Sequence, residues 1–164
     1  MRIHILGVCG TFMAGLAQIL KESGHQVSGA DIQFYPPMSE YIDGIGIKTI
    51  QGYKRETLPD ADLYVIGNAI SRGNECVEEI LDKNLPFISG PEILGKELKG
   101  RNVFAISGTH GKTTTTSLIS GIFSKTKLDP TIINGGVINS LDNSARLGKS
   151  KWSILEPVSY THLR

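Results

Sequence analysis

Residues 108–114, with the sequence G-T-H-G-K-T-T, constrain this 164-residue chain more than any other stretch. They follow the apolar run 103–106 and precede apolar residues at helical spacing, so a strand, a tight turn and a helix are expected. Gly108 and Gly111 would let backbone N–H groups turn towards an anion, at the partial positive end of that helix. Lys112 adds a full positive charge at the same place. The stretch therefore predicts a phosphate-binding loop.

The residues that close this loop suit ATP. A lysine in such a loop reaches the outer phosphates of a nucleotide, and the hydroxyl directly after it holds the Mg²⁺. Lys112 and Thr113 occupy these two positions. Ile106 stands where the general G-x-x-x-x-G-K-[ST] form has its first glycine, so this loop is shorter. A purely structural turn between a strand and a helix is the alternative interpretation.

Composition excludes several classes of protein. Hydrophobic residues make up 40% and charged residues 20%, which is ordinary globular composition. The net charge of +1 gives no reason to expect nucleic acid or a membrane as a partner. No apolar run reaches the roughly 18 residues that span a bilayer, and the first residues do not form a signal peptide. Two cysteines are too few for a disulfide framework, so we expect a cytoplasmic protein.

The N-terminal residues predict a nucleotide-binding βαβ unit. A buried strand is expected over 2–8, a helix over 12–23 and a second strand over 27–30, followed by Asp31. This order is the skeleton of a Rossmann-like parallel sheet. Asp31 is either a ligand of a ribose or a turn residue.

The glycines of the first loop leave two interpretations open. Gly7, Gly10 and Gly15 depart from the G-x-G-x-x-G spacing of dinucleotide sites, so the loop is a nucleotide site or a tight packing turn. Two further strands are expected over 45–50 and 62–66. The polar loop 67–74 follows the second of these, at the strand ends where ligands gather, so Asn68 and Arg72 are candidate ligand contacts.

The remaining elements complete an α/β pattern. Short helices are expected from Ser39 to residue 42 and over 91–98, and a helix capped by Asn74 over 75–82. A strand is expected over 86–89, and the polar stretch 99–102 predicts a domain boundary. Beyond it we expect a helix over 113–124 with Leu118, Ile119, Ile122 and Phe123 on one face, a strand over 131–133, a glycine turn over 134–137, and a strand over 152–155.

Taken together, G-V-C-G-T-F-M-A-G-L-A in the first loop, G-A-D at 29–31 and G-T-H-G-K-T-T resemble the Mur ligase family, whose members use ATP to join amino acids or peptides to UDP-N-acetylmuramate. The resemblance covers residues 1–156. It implies a UDP-N-acetylmuramate-binding Rossmann-like domain over 1–99 and the truncated start of a P-loop ATP-binding α/β domain over 100–156. The loops T-F-M, Y-P-P-M-S, G-N-A-I-S-R-G-N and S-G-P-E most resemble members that attach a tripeptide recovered from the cell wall; members that attach L-alanine are the alternative.

The resemblance also implies roles for individual residues. ATP would phosphorylate the lactyl carboxylate of the muramoyl group, and the amine of the peptide or amino acid would attack the acyl phosphate, with Lys112 as the catalytic residue. Thr113 and Glu156 would hold Mg²⁺. The residues implied to bind ATP are Gly108, Thr109, His110, Gly111, Lys112, Thr113 and Thr114. Those implied to bind the UDP-sugar are Gly7, Cys9, Gly10, Thr11, Phe12, Met13, Asp31, Asn68 and Arg72.

His110 is as consistent with a structural role in the loop as with a place beside the phosphates. After Glu156 the resemblance ends, because residues 157–164 replace the Ala-Asp-Glu that would follow it. We therefore expect a fragment with a non-matching tail, which would not turn over by itself. Peptide-dependent phosphate release from this chain would contradict that expectation.

Two other classes of protein fit part of the sequence. An NAD-dependent oxidoreductase would use the N-terminal βαβ unit, but it leaves G-T-H-G-K-T-T without a role. A non-catalytic nucleotide-binding module would use both half-sites and fits the length of the chain.

Overall fold

The computed structural model describes residues 1–126, 128–138 and 143–156. The chain divides into two compact units, Met1–Glu97 and Leu98–Arg164. The division falls close to the boundary expected after residue 99. The assignment of the two units to a UDP-sugar and to ATP stays a prediction, and the predicted tail 157–164 lies outside the described residues.

The N-terminal unit is built on a parallel sheet of five strands, which confirms the predicted Rossmann-like α/β class. The strand order is β3-β2-β1-β4-β5, so the chain reverses its direction across the sheet between β1 and β4. The strands are β1 (Arg2–Leu6), β2 (Gln26–Asp31), β3 (Lys48–Gln51), β4 (Leu63–Ile66) and β5 (Phe87–Ser89).

Helices connect these strands and cover the sheet. They are α1 (Thr11–Glu22), α2 (Met38–Gly44), α3 (Glu75–Asp82) and α4 (Gly90–Glu97), with a short 3₁₀ helix at Arg55–Thr57. Because both faces of the central strand β1 are covered, its apolar side chains are almost completely buried. His4 on β1 is also buried, and its Nδ1 lies 2.8 Å from Ser28 Oγ on the neighbouring strand β2.

Two predicted helix caps have different outcomes. Asn74 caps α3 as predicted: its side-chain oxygen accepts the backbone N–H groups of Cys76 at 3.0 Å and Val77 at 3.3 Å. Ser39 does not cap α2, because that helix already begins at Met38 and the preceding residue is Pro37. The sequence Pro36-Pro37 ends the preceding loop, and the fixed φ of proline suits the start of a helix.

The C-terminal unit contains a four-stranded sheet in the order β6-β9-β7-β8. The first three strands are parallel, and β8 runs antiparallel to β7. The strands are β6 (Asn102–Ala105), β7 (Thr131–Ile138), β8 (Asn143–Arg146) and β9 (Trp152–Leu155), and the helix between β6 and β7 is α5 (Lys112–Ser124).

One expectation for the C-terminal unit is wrong, and the apolar face expected on α5 is buried only in part. The backbone of 134–137 continues β7 instead of forming a glycine turn, and the pairing of β7 with β8 shifts in register between Ile133 and Ile138. Leu118 and Ile122 on α5 are exposed, whereas Ile119 and Phe123 pack against the core formed by Ile132 and Ile154. Thr116 and Ser120 take the buried positions instead.

Arg101, which directly precedes β6, forms hydrogen bonds with the start of β7 and with the segment before β9. Its Nη1 donates to Thr131 Oγ1 at 2.8 Å and to the carbonyls of Gly148 at 2.9 Å and Ser150 at 2.7 Å. The Gly148 N–H donates to the same Thr131 hydroxyl at 3.0 Å. A charged donor that satisfies several carbonyls fixes this part of the unit without a large apolar core.

Candidate functional site

The carboxyl ends of β1 to β4 meet at one edge of the N-terminal sheet, where they line a cavity of about 650 Å³. Ligands of open parallel sheets bind at this edge, near the point where the strand order reverses. The predicted UDP-sugar residues that line it are Gly7, Cys9, Gly10, Asp31 and Arg72. The structure therefore brings together residues that are up to 65 positions apart in the sequence (Gly7 to Arg72).

The glycine loop is shaped by its contacts with two neighbouring strands. Gly7 has a φ of +81°, which L side chains rarely adopt, and a Cβ there would lie 3.3 Å from the side chain of Ile70. Its N–H donates to the Ala30 carbonyl at 2.8 Å. Gly10 precedes α1 without a side-chain cap, and the first turn of α1 contains no acidic residue. This start of α1 favours an anion.

Asp31 holds the glycine loop against the end of β2. Its carboxylate accepts the backbone N–H groups of Cys9 and Ile32, each at 2.8 Å, and the hydroxyl of Tyr53 at 3.3 Å. Burial, together with the nearby Asp31 charge, raises the pKa of the Cys9 thiol to about 12, and the same two causes raise the pKa of Tyr53. Both groups are therefore protonated at neutral pH.

Four predicted UDP-sugar residues lie outside the lining of this cavity: Thr11, Phe12, Met13 and Asn68. Met13 is buried, and a Cβ added to Gly90 would lie 2.8 Å from its sulfur and 3.0 Å from Phe12 Cε1. The side chains of Phe12 and Met13 therefore pack against the start of α4, which leaves the N–H groups at the start of α1 for a ligand. Asn68 is exposed.

Sequence reasoning missed Tyr53, which lines the cavity and reaches Asp31. Tyr53 comes two residues after the end of β3, at the same edge as the predicted residues. The rule that ligands gather at strand ends, which predicts Asn68 and Arg72 after β4, also points to Tyr53 when it is extended to β3.

Arg72 lies at the cavity and is bound by α3. Its Nε and Nη2 donate to the two carboxylate oxygens of Glu78 at 2.8 and 2.9 Å, and the Gly73 N–H donates to the same carboxylate at 2.7 Å. These bonds, with that to Arg72 foremost, lower the pKa of Glu78 to about 2. The pair is therefore charged at neutral pH, and its two charges offset each other.

In the C-terminal unit the predicted phosphate loop connects β6 to α5. Gly111 has a φ of +74° and directly precedes α5, so a side chain here would be strained. Lys112 Nζ donates to the Gly108 carbonyl at 2.6 Å. Gly108, Thr109, His110 and Thr114 are exposed. The loop thus presents its backbone to solvent around the lysine.

Thr113 and Glu156, the predicted metal ligands, are brought together across the unit. Thr113 Oγ1 donates to Glu156 Oε1 at 3.0 Å, and Glu156 is only 7% exposed. The Glu156 N–H donates to the Ile133 carbonyl at 2.9 Å, which places the residue at the carboxyl end of β9 beside β7. A hydroxyl and a carboxylate oxygen are hard donors of the kind that Mg²⁺ prefers. Within the described residues, no three His, Cys, Asp or Glu side chains form a metal-binding group.

Buried polar side chains near this site gave no signal in the sequence. Asn134 is fully buried on β7, and neither atom of its amide has a hydrogen-bond partner among the described residues. Ser120 Oγ on α5 has the same status. Because two glycines follow Asn134, the sequence predicts a turn there and gives no indication that Asn134 is buried.

No helix in the described part of the chain has the length and the apolar character needed to cross a bilayer.

Comparison with known proteins identifies the family. The model of the Mur ligase family, catalytic domain, matches residues 2–102, which is more than half of the chain. The UDP-N-acetylmuramate–L-alanyl-γ-D-glutamyl-meso-2,6-diaminoheptandioate ligase of Escherichia coli is 48% identical over 162 residues, 98% of this chain. The UDP-N-acetylmuramate–L-alanine ligase of Rhizorhabdus wittichii is 40% identical over 94% of this chain.

A solved structure agrees with this comparison. The crystal structure of UDP-N-acetylmuramate:L-alanyl-γ-D-glutamyl-meso-diaminopimelate ligase from Neisseria meningitides superposes with a TM-score of 0.89 at 42% identity, over 94% of this chain and 52% of that one. The chain therefore belongs to the Mur ligase family. It spans 35% of the length of the E. coli relative and 32% of the R. wittichii relative.

Proposed function

We propose that this chain is part of an ATP-dependent ligase that joins L-alanyl-γ-D-glutamyl-meso-diaminopimelate to UDP-N-acetylmuramate through an acyl phosphate, in peptidoglycan recycling. The observation that carries the proposal is the 48% identity to a ligase of that name over 98% of this chain. The alignment includes the residues of both candidate sites, because it extends across the two units.

The two units divide the ligands between them in this proposal. Residues 1–99 bind UDP-N-acetylmuramate in the cavity at the strand ends, with the anionic diphosphate at the start of α1, where no acidic side chain opposes it. Residues 100–156 bind ATP at the loop before α5. Nucleic acid and membrane have no part in the proposal, and its location is the cytoplasm, where the two free cysteines stay reduced.

Lys112, Thr113 and Glu156 carry the chemistry of the ATP site. Lys112 gives up its bond to the Gly108 carbonyl and donates to the outer phosphates, where its charge offsets that of the transferring phosphoryl group. Thr113 and Glu156 would hold Mg²⁺; the 3.0 Å separation of Thr113 Oγ1 and Glu156 Oε1 supports this assignment. When bound, Mg²⁺ neutralises phosphate charge and orients the phosphates for attack by the muramoyl carboxylate.

An L-alanine-adding ligase is the second candidate function. The 40% identity to the R. wittichii enzyme favours it over unrelated activities. It ranks second because the tripeptide ligase is more similar over a slightly larger share of this chain.

Calorimetric titration of the chain with UDP-N-acetylmuramate tests the first step of the proposal. We expect saturable binding of the UDP-sugar, and no heat of binding from NADH as the parallel ligand. ATP with Mg²⁺ should bind as well, and Lys112→Ala should abolish that binding while the affinity for the UDP-sugar stays unchanged. Binding of NADH without the UDP-sugar would falsify the proposal in favour of an oxidoreductase.

A further inference from the structure

Arg72 is the one cationic side chain among the described residues that line the cavity of the N-terminal unit. A diphosphate carries two negative charges, so Arg72 is at first sight its natural partner. The geometry argues against this role. The Nε and Nη2 groups of Arg72 already donate to both oxygens of Glu78, at 2.8 and 2.9 Å.

Charge balance at the cavity supports the same conclusion. Asp31 is the other charged lining residue, and its carboxylate is bonded to the N–H groups of Cys9 and Ile32. Glu78 offsets the charge of Arg72 at contact distance. The described lining therefore presents no uncompensated positive side chain, and the backbone N–H groups at the start of α1 remain for a phosphate.

The guanidinium keeps one donor group for a ligand. Nη1 of Arg72 has no hydrogen bond to a described residue, and the bidentate contact with Glu78 fixes the plane of the guanidinium. The same carboxylate accepts the Gly73 N–H at 2.7 Å, and Asn74 caps α3 one residue later. Hydrogen bonds thus join the loop, the start of α3 and the exposed side chain of Arg72 without a ligand.

We infer that Arg72 donates a hydrogen bond to an uncharged oxygen of the uridine part of the bound UDP-sugar, and that Glu78 is the positioning residue that holds Arg72 for this contact. The inference rests on the proposed function, because it assumes that a uridine nucleotide occupies the cavity. The inference assigns different contacts to two parts of the ligand. Backbone N–H groups bind the diphosphate, and Arg72, whose charge Glu78 offsets, binds the uridine.

The test removes the pair without a change in net charge. Arg72→Gln/Glu78→Gln is titrated with UMP, UDP and UDP-N-acetylmuramate beside the wild-type chain, at two salt concentrations. We expect about tenfold weaker binding of all three ligands by the same factor, with the salt dependence unchanged, because the lost bond is made to the part that they share.

Glu78 is tested as a positioning residue by a double-mutant cycle. Glu78→Gln should weaken binding relative to Glu75→Gln, which makes the same charge change on the first turn of α3 and serves as the matched control. The addition of Glu78→Gln to Arg72→Gln should cause no further loss, because Glu78 acts through Arg72. Thermal unfolding of each variant checks that it is folded. If Arg72→Gln is not folded, Arg72→Lys replaces it in the cycle.

Five results would overturn the inference. A larger loss for UDP than for UMP would assign Arg72 to the diphosphate, and a loss confined to UDP-N-acetylmuramate would assign it to the sugar. Unchanged affinities in the double variant would show that Arg72 makes no ligand contact, and a further loss in the cycle would give Glu78 a role of its own. If the wild-type chain binds none of the three ligands, the proposed function fails and this inference fails with it.

Discussion

His4 shows how a single buried side chain makes the stability of the N-terminal unit depend on pH. It lies in the central strand β1, and burial lowers its pKa from 6.5 to about 4. A neutral imidazole is bonded to Ser28 at 2.8 Å in the folded chain. The unfolded chain binds a proton at a higher pH than the folded chain does, so acid favours unfolding.

We therefore expect the free energy of unfolding to be at its full value above pH 6.5 and to decrease as the pH falls towards 4. The His4 contribution between pH 7.5 and pH 5 is about 2 kcal/mol. Urea unfolding at several pH values measures it. His4→Gln should lower the stability at pH 7.5 but flatten its pH dependence over this range; an equally steep dependence in the variant would assign the effect to other groups.

At the scale of elements, glycines on α5 and before β9 respond differently to the same substitution. A Cβ on Gly148 would overlap the backbone of Asp129 and Pro130, and Gly148 is bonded through its N–H and its carbonyl. A Cβ on Gly121, inside α5, would meet no heavy atom of the described residues within 4 Å. Position 148 therefore requires glycine, and position 121 does not.

Gly148→Ala should lower the free energy of unfolding by about 1–3 kcal/mol, because the backbone must move to make room. Gly121→Ala should raise it by up to about 1 kcal/mol, because alanine favours a helix. Chemical denaturation of the two variants beside the wild type checks both signs. Equal effects would mean that the close approach at Gly148 is not maintained in solution.

The elements also show what sequence patterns can and cannot predict. The parallel strands of the N-terminal unit and the Asn74 cap were predictable, because an apolar run and a cap residue act locally. The buried face of α5 was not. Thr116 is buried because its hydroxyl donates to the Lys112 carbonyl at 2.9 Å, so the rule that polar residues face outward failed there.

In the candidate sites, too, local patterns were predictable and contacts between distant residues were not. The loops could be predicted, since glycine, lysine and threonine at fixed spacing have few structural alternatives. The contact of Thr113 with Glu156 joins residues 43 positions apart and needed the fold. The Arg72–Glu78 ion pair could not be predicted either, because nothing in the sequence indicates which carboxylate an exposed arginine will bind.

At the scale of the whole molecule, the division at Glu97 predicts that the chain does not unfold as one cooperative unit. Scanning calorimetry should resolve two transitions. UDP-N-acetylmuramate at about one hundred times its Kd should stabilise one of them by about 2.7 kcal/mol. ATP with Mg²⁺ should raise the other transition, and a single transition raised equally by both ligands would show that the units are coupled.

The burial of the Cys9 thiol, beside the charge of Asp31, has a consequence for oxidative chemistry. Thiols react with peroxides and alkylating reagents as thiolates, and a pKa of about 12 leaves almost no thiolate on Cys9 at neutral pH. Cys76 is similar, since burial raises its pKa to about 11. We therefore expect Cys9, which lines the cavity of the N-terminal unit, to react slowly with the oxidants that inactivate many enzymes with an accessible thiol.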